Sequence, residues 1–172
     1  LAKADDTPME AEAPIALTSP SAILCEASTG RVVFEKNADE RRPVASVNKV
    51  MTILLTLEAL DEGRVSVQDQ VTVSPRAASM GGSQAFLDAG ERYPLGELLK
   101  TVIVASANDS AVAIAEHLAG AEKAFVKLIN ARADELGLQN THYVNCTGLP
   151  APDHYTTARD VAKLSAQLDL HP

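Results

Sequence analysis

Tryptophan is absent from this sequence, and aromatic residues make up only 3% of its 172 positions. That scarcity argues against a platform for stacking bases or sugars. No basic block occurs and the net charge is -8, which disfavours a nucleic-acid partner. No apolar run reaches the ~18 residues that a membrane-spanning helix needs. Cysteine is limited to Cys25 and Cys146, too few and too far apart for a structural zinc site. Cys25 reads as a strand residue and Cys146 as a loop residue, so two separate, mostly buried thiols are expected. Neither a metal nor a cofactor is expected. What is present, 46% hydrophobic and 22% charged residues, describes a globular chain of one domain or two small lobes. The opening, Leu1 to Pro20, is polar, rich in Ala, Glu and Asp, and shows no secretory leader. It reads as the loose start of a mature or trimmed chain.

The most informative stretch is Pro43 to Leu60. Val47, Val50, Met51, Ile53, Leu54, Leu55, Leu57 and Leu60 are apolar nearly all round a helix running from about Ser46 to Asp61, and such a helix is buried. Ser46 opens it and Lys49 lies three residues on, on the same face. An amine taken out of water loses affinity for its proton and becomes a base. A serine beside it is an activated nucleophile. Ser-x-x-Lys alone is weak, since on the order of one chance match is expected in a chain of this size. Its plain reading is a helix cap followed by a surface lysine, but a solvated lysine does not need apolar neighbours such as Val47, Val50, Met51 and Ile53.

Elsewhere, Ser21 to Glu35 predicts a β-hairpin turning at Ser28-Thr29-Gly30. Val65 to Val73 predicts one or two short strands, Ser74 to Ser83 a turn and loop, and Gln84 to Leu87 an extended piece. Leu98, Leu99, Val102 and Ile103 have helical spacing within Leu95 to Ala105. Ser106 to Ser110 favours a capping turn before a helix over Ser110 to Leu118. A further helix is expected from about Glu122 to Leu136, with Phe125, Leu128, Ile129, Ala133 and Leu136 on one face. Asn140 to Tyr155 reads as irregular, and Thr157 as the cap of a last helix reaching Leu168. Arg159 and Lys163 are expected on that helix's outside. No internal repeat or low-complexity tract is visible.

Ser46-x-x-Lys49 followed by Ser106-Ala107-Asn108, both at helix starts, is more specific than either motif alone. With them stand Ile23 to Lys36, Gly81 to Leu87, Leu136-Gly137-Leu138, Asn140-Thr141-His142, Asn145 with Gly148-Leu149, and His154 to Asp160. On these residues the chain resembles the low-molecular-mass penicillin-binding proteins, serine D-alanyl-D-alanine carboxypeptidases, from about residue 20 to its end. The resemblance implies an α/β (α+β) fold of the β-lactamase/transpeptidase-like kind, a helical lobe plus an incomplete antiparallel sheet lobe. Residues 1–20 would be the loose segment, 21–64 with 156–172 parts of the sheet lobe, and 65–155 the helical lobe. Ser46 would be the nucleophile, Lys49 the base, and Ser106 the relay of a proton to the leaving amine. Asn108 would bind the peptide or the lysine and hold the cleft wall. The implied partners are a peptidoglycan stem peptide ending in D-Ala-D-Ala and β-lactam antibiotics, in an extracytoplasmic setting. Contact with a membrane would come only through a C-terminal segment not in this chain.

Three departures stand out. Asn48 replaces the usual Thr, and Ala107 sits inside the second motif where close relatives have Gly; both are expected to be tolerated. The third is that no Lys-Thr-Gly occurs, the triplet that would bind the substrate carboxylate from the opposite side of the cleft. Without it, weak or no acylation is expected of this chain. A related D,D-endopeptidase, or a catalytically incomplete unit whose exposed hairpin pairs with another chain, are the alternatives. His154 and Tyr155 read as structural support for the loop returning to the sheet, and His117 and His142 as ordinary helix or loop residues. Glu135-Leu-Gly-Leu138 is only faintly similar to the Glu-x-x-Leu-Asn loop of class A β-lactamases. Gln139 stands in the Asn place and Glu135 ends a helix, which argues against a deacylating β-lactamase.

Overall fold

A computed structural model describes residues 16–171. The first fifteen residues of the expected loose segment lie outside them. Strands β1 (Ala22–Cys25) and β2 (Val32–Lys36) form an antiparallel hairpin. Its turn closes by Gly30 N–H donating to Glu26 O at 2.8 Å, with Gly30 at φ 71°. The two-residue strand β3 (Arg42–Pro43) follows, then one 3₁₀ turn, Ala45–Asn48, and helix α1 (Lys49–Asp61). The expected start at Ser46 is therefore corrected: the nucleophile candidate sits on the tight turn and Lys49 is the first α-helical residue. A 3₁₀ turn is a common way into an α-helix.

After α1, β4 (Gln70–Thr72) pairs with β5 (Arg92–Pro94), so only the end of the expected strand region is extended. A short helix α2 (Pro75–Ala78) occupies the expected loop, capped by Ser74 Oγ accepting from Ala77 N at 2.9 Å. Pro at the first helical position and Ser as cap are both local start signals. Helices α3 (Leu95–Ala105), α4 (Asn108–Ala119) and α5 (Glu122–Glu135) come next. Strand β6 (Tyr155–Thr156) pairs back to β3, and α6 (Ala158–Leu168) ends the described chain. Thr157 caps α6 as expected, its Oγ1 accepting from Asp160 N at 3.1 Å. No described helix is long and apolar enough to cross a membrane.

The core gathers Met51 and Leu54 of α1, Leu95, Leu98 and Val102 of α3, Ala111 to Ala115 of α4, and Phe125 and Ile129 of α5. Nothing between Asn48 and Leu60 is exposed, in keeping with the apolar girdle of α1. Helix α4 is buried just as deeply over Asn108 to Ala115. Ala111, Ala113 and Ala115 let neighbours approach closely, and Val112 and Ile114 between them fill the core. Two expected core positions are corrected: Ile103 is 57% and Leu128 47% exposed, each one step off the buried stripe of its helix. Arg159 is not a surface decoration either. Its guanidinium donates to Glu35 at 2.6 Å and Asp39 at 2.7 Å, tying α6 to the hairpin and its following loop. Those carboxylates hold the Arg159 proton more firmly than usual. Both cysteines are free; Cys146 is buried and Cys25 half-buried.

Candidate active site

The pairing of β3 with β6 sets the chain just before Ser46 beside the chain that leaves the 143–154 loop. That loop is closed at its base by reciprocal bonds, His142 N to Tyr155 O at 2.9 Å and Tyr155 N to His142 O at 3.1 Å. It therefore folds as one unit against the start of α1. Ser46 is exposed on its 3₁₀ turn, whereas Lys49 is 3% exposed. The Lys49 amine donates to Ser46 Oγ at 3.3 Å and to Thr147 O at 2.8 Å. Burial lowers the Lys49 pKa. The Cys146 thiol is itself pushed far upward by burial and by Glu122, so it stays protonated.

Three successive carbonyls of the loop accept from α1 and the turn before it. Asn145 O takes Asn48 Nδ2 at 3.2 Å, Cys146 O takes Thr52 Oγ1 at 3.0 Å, and Thr147 O takes Lys49 Nζ. Asn145 builds this strap: its Oδ1 accepts from Gly148 N at 2.8 Å, Thr147 N at 3.1 Å and Thr147 Oγ1 at 3.1 Å. An Asn that binds its own backbone two and three residues on is an Asx turn. Gly148, at φ 86°, lies so close to the nucleophile turn that a Cβ there would overlap the Ala45 carbonyl oxygen. Sequence reasoning picked out Asn145 and Gly148 only as matching positions; the signal for the strap was the Asn-x-x-Gly spacing.

The second motif lies at the α3–α4 corner. Ser106 is half-buried and left-handed, φ 54°, with its N–H donating to Thr101 O. Helix α4 begins at Asn108 rather than Ser110, so Asn108 belongs to its first turn. Asn108 Nδ2 donates to Gly81 O and Asn108 N to Ser83 O, each at 2.7 Å. Gly82 has φ 81°, a conformation that favours glycine, and a Cβ there would come within 2.8 Å of Asn108 Nδ2 and push that amide off its partner. Asp109, missed at the sequence level, organises the same segment. Its buried carboxylate accepts Ala85 N at 3.0 Å, Leu87 N at 3.2 Å and Ser110 N at 2.8 Å. Gln84 to Leu87 is thus a pinned loop, not the expected extended piece, and Phe86 between the pins has φ 59° and is 82% exposed. Ala45, Phe86 and Ser106 are all left-handed without being glycine, a strained conformation that concentrates at functional sites. Among the described residues the structure brings Ser46 and Lys49 into contact, while Ser106 and Asn108 bond to the α3 end and the 81–83 loop.

An exposed serine hydroxyl against a desolvated amine is the arrangement of a serine–lysine acyl-transfer centre. The family model for D-alanyl-D-alanine carboxypeptidase, peptidase group S11, matches residues 7–170, and the chain belongs to that family. It is 47% identical over 154 residues to the D-alanyl-D-alanine carboxypeptidase DacF of Bacillus subtilis, covering 90% of this chain and 40% of that protein. It is 32% identical to a D-alanyl-D-alanine endopeptidase of Escherichia coli, over 91% of this chain and 49% of that one. The crystal structure of the D-alanyl-D-alanine carboxypeptidase DacD from Francisella tularensis superposes with a TM-score of 0.87 at 38% identity, covering 90% of this chain and 37% of that one. The fold is accordingly the β-lactamase-like fold of the penicillin-binding proteins, and the chain spans about two fifths of the length of the curated relatives it matches.

Proposed function

We propose that this chain carries the nucleophile of a serine D-alanyl-D-alanine carboxypeptidase that trims peptidoglycan stem peptides outside the cytoplasm. The observation that carries the reading is the Lys49 amine, buried and 3.3 Å from Ser46 Oγ. Burial keeps a larger share of the amine neutral near pH 7 than an ordinary lysine allows. Neutral Lys49 takes the Ser46 proton as Oγ attacks the carbonyl of the penultimate D-alanine. The Ser46 backbone N–H, at the helix start, supports the oxyanion. Ser106 relays that proton from Lys49 to the leaving D-alanine amine as the C–N bond breaks, which returns Lys49 to its neutral form, and water then releases the acyl group from Ser46. Asn108 stiffens the adjoining wall through Gly81. A β-lactam follows the first half of this course, its ring amide opening onto Ser46. In this reading residues 65–155 form the helical lobe, and 21–64 with 156–172 belong to the sheet lobe.

A labelled penicillin followed by mass spectrometry tests the assignment. In a full-length protein that joins this chain to a Lys-Thr-Gly wall, one adduct is expected on Ser46 and none in Ser46→Ala; undiminished labelling of the variant, or an adduct elsewhere, sinks it. The similarity to an endopeptidase supports a second reading, cleavage of cross-linked peptides by the same centre. Relative turnover of a free pentapeptide and a cross-linked dimer separates the two.

A further inference from the structure

His154 lies beneath the site, 7% exposed, with its Nε2 3.1 Å from Asn48 Oδ1. The direction of that bond follows from its neighbour. Asn145 O is a carbonyl and only accepts, so the Asn48 atom 3.2 Å from it is the amide nitrogen. Asn48 then offers its oxygen to His154, and Nε2 must be the donor. His154 is held as the Nε2–H tautomer, leaving Nδ1 bare. Nδ1 is buried and has no hydrogen-bond partner among the described residues. A proton added there would be a buried donor without an acceptor, which is costly. The surrounding groups agree: the Tyr143 ring meets the imidazole edge-on, and burial with nearby His142 keeps its pKa low.

We infer that His154 is a positioning residue for Lys49, acting through the Asn48 carboxamide and the 145–147 strap. The relay is short. His154 fixes which way Asn48 faces. Asn48 then anchors Asn145 O, Asn145 Oδ1 shapes the turn, and Thr147 O receives the amine at 2.8 Å. Asn48 adjoins Lys49 in the chain, so the same link also sets the first turn of α1. Without His154 the Asn48 oxygen is a buried acceptor with no donor, and water must enter to satisfy it. That water loosens the carboxamide's hold on Asn145 O, and with it the strap on the lysine. The inference deepens the carboxypeptidase reading and rests on it for its catalytic meaning, but its geometry can be tested separately.

The experiment uses the full-length protein that joins this chain to a Lys-Thr-Gly wall, and compares it unsubstituted with His154→Ala, His154→Gln, Asn48→Ala and the double variant Asn48→Ala, His154→Ala. Gln places an N–H donor near the Nε2 position and serves as the conservative rescue. Two quantities are read: the Lys49 pKa, by ¹³Cε NMR titration, and the rate of penicillin acylation across pH. In His154→Ala the Lys49 pKa is expected to rise toward the ordinary lysine range as water enters. The acid limb of the acylation profile should move up with it, and the rate should fall roughly 10–100-fold, the scale of a small misplacement. His154→Gln should return both quantities, and His154→Ala should add little once Asn48 is already Ala. An unmoved Lys49 pKa in His154→Ala, or equal damage from Gln and Ala, overturns the inference. Absence of any Ser46 adduct in the unsubstituted protein would instead overturn the carboxypeptidase reading and leave the Lys49 titration to decide the positioning. If His154→Ala does not fold, imidazole ¹⁵N shifts of the unsubstituted protein decide. A bare Nδ1 and protonated Nε2 at pH 6–8 are required, and the opposite tautomer overturns the inference.

Discussion

Two irregular segments, 145–148 against the turn of the candidate nucleophile and 81–87 against the start of α4, are held in opposite ways. Asn145 orders its own loop, bonding the backbone two and three residues on. The 81–87 segment is ordered from outside, by Asp109 and Asn108, more than twenty residues away in the chain. The first arrangement is a local turn that presents carbonyls to a helix. The second is a helix start that gathers backbone N–H groups from a distant loop. A local turn survives as long as its own few residues do, whereas a gathered loop depends on one remote carboxylate. Each wall should therefore fail separately, and each failure should be visible at its own backbone amides.

The largest effect is expected at Gly148. Gly148→Ala forces a methyl into the Ala45 carbonyl and keeps a left-handed φ that alanine disfavours. Strain and overpacking together predict a loss of at least about 3 kcal/mol in a denaturant titration. Acylation of Ser46 should fall with it, while the amides of Ala85 and Leu87 keep their protection from hydrogen exchange. A loss under about 1 kcal/mol, well below the usual overpacking range, would mean that the strap moves freely and is no rigid wall.

Asp109→Ala should come next. It strips a buried acceptor from three N–H groups, at a cost of roughly 2–4 kcal/mol. Here hydrogen exchange should quicken at Ala85 and Leu87 and stay unchanged at Thr147 and Gly148. Equal loosening of both segments would show that the walls are one cooperative unit, and the contrast between them would collapse.

The same contrast explains what could be read before any coordinates. Hairpin, helices and the Thr157 cap were legible because each is written in neighbours: apolar period, turn glycine, capping hydroxyl. Ser46 and Lys49 were legible for the same reason, three residues apart on one helix start. Asp109 was not, because an acidic residue at a helix start reads as an ordinary N-terminal preference. Nothing nearby says that its partners lie at 85 and 87. Phe86 was misread as extended since its left-handed conformation is imposed by those remote bonds. The short strands β3 and β6 escaped too: two residues each carry no period, and only their pairing makes them strands.

The smallest effect, a slope and not a collapse, belongs to Lys49. Burial lowers its folded pKa below the ordinary lysine value of 10.5, so between the two values the unfolded chain binds the proton that the folded one has lost. Stability must then rise with pH across that window and level off above the ordinary lysine range. Below the folded pKa the amine is charged in both states, and the full penalty of burying the charge is present. Lys49→Met removes the titrating group while nearly keeping its length. Denaturant titrations of the two proteins at several pH values from 7 to 10.5 should show the rise in the unsubstituted protein and not in the variant. The variant also leaves Thr147 O without its amine, a pH-independent loss that offsets the whole curve and does not tilt it. Parallel curves would mean that Lys49 is as well solvated as a surface lysine. The base that the carboxypeptidase reading requires would then be missing from the strap wall, and the difference between the two segments would carry no catalytic meaning.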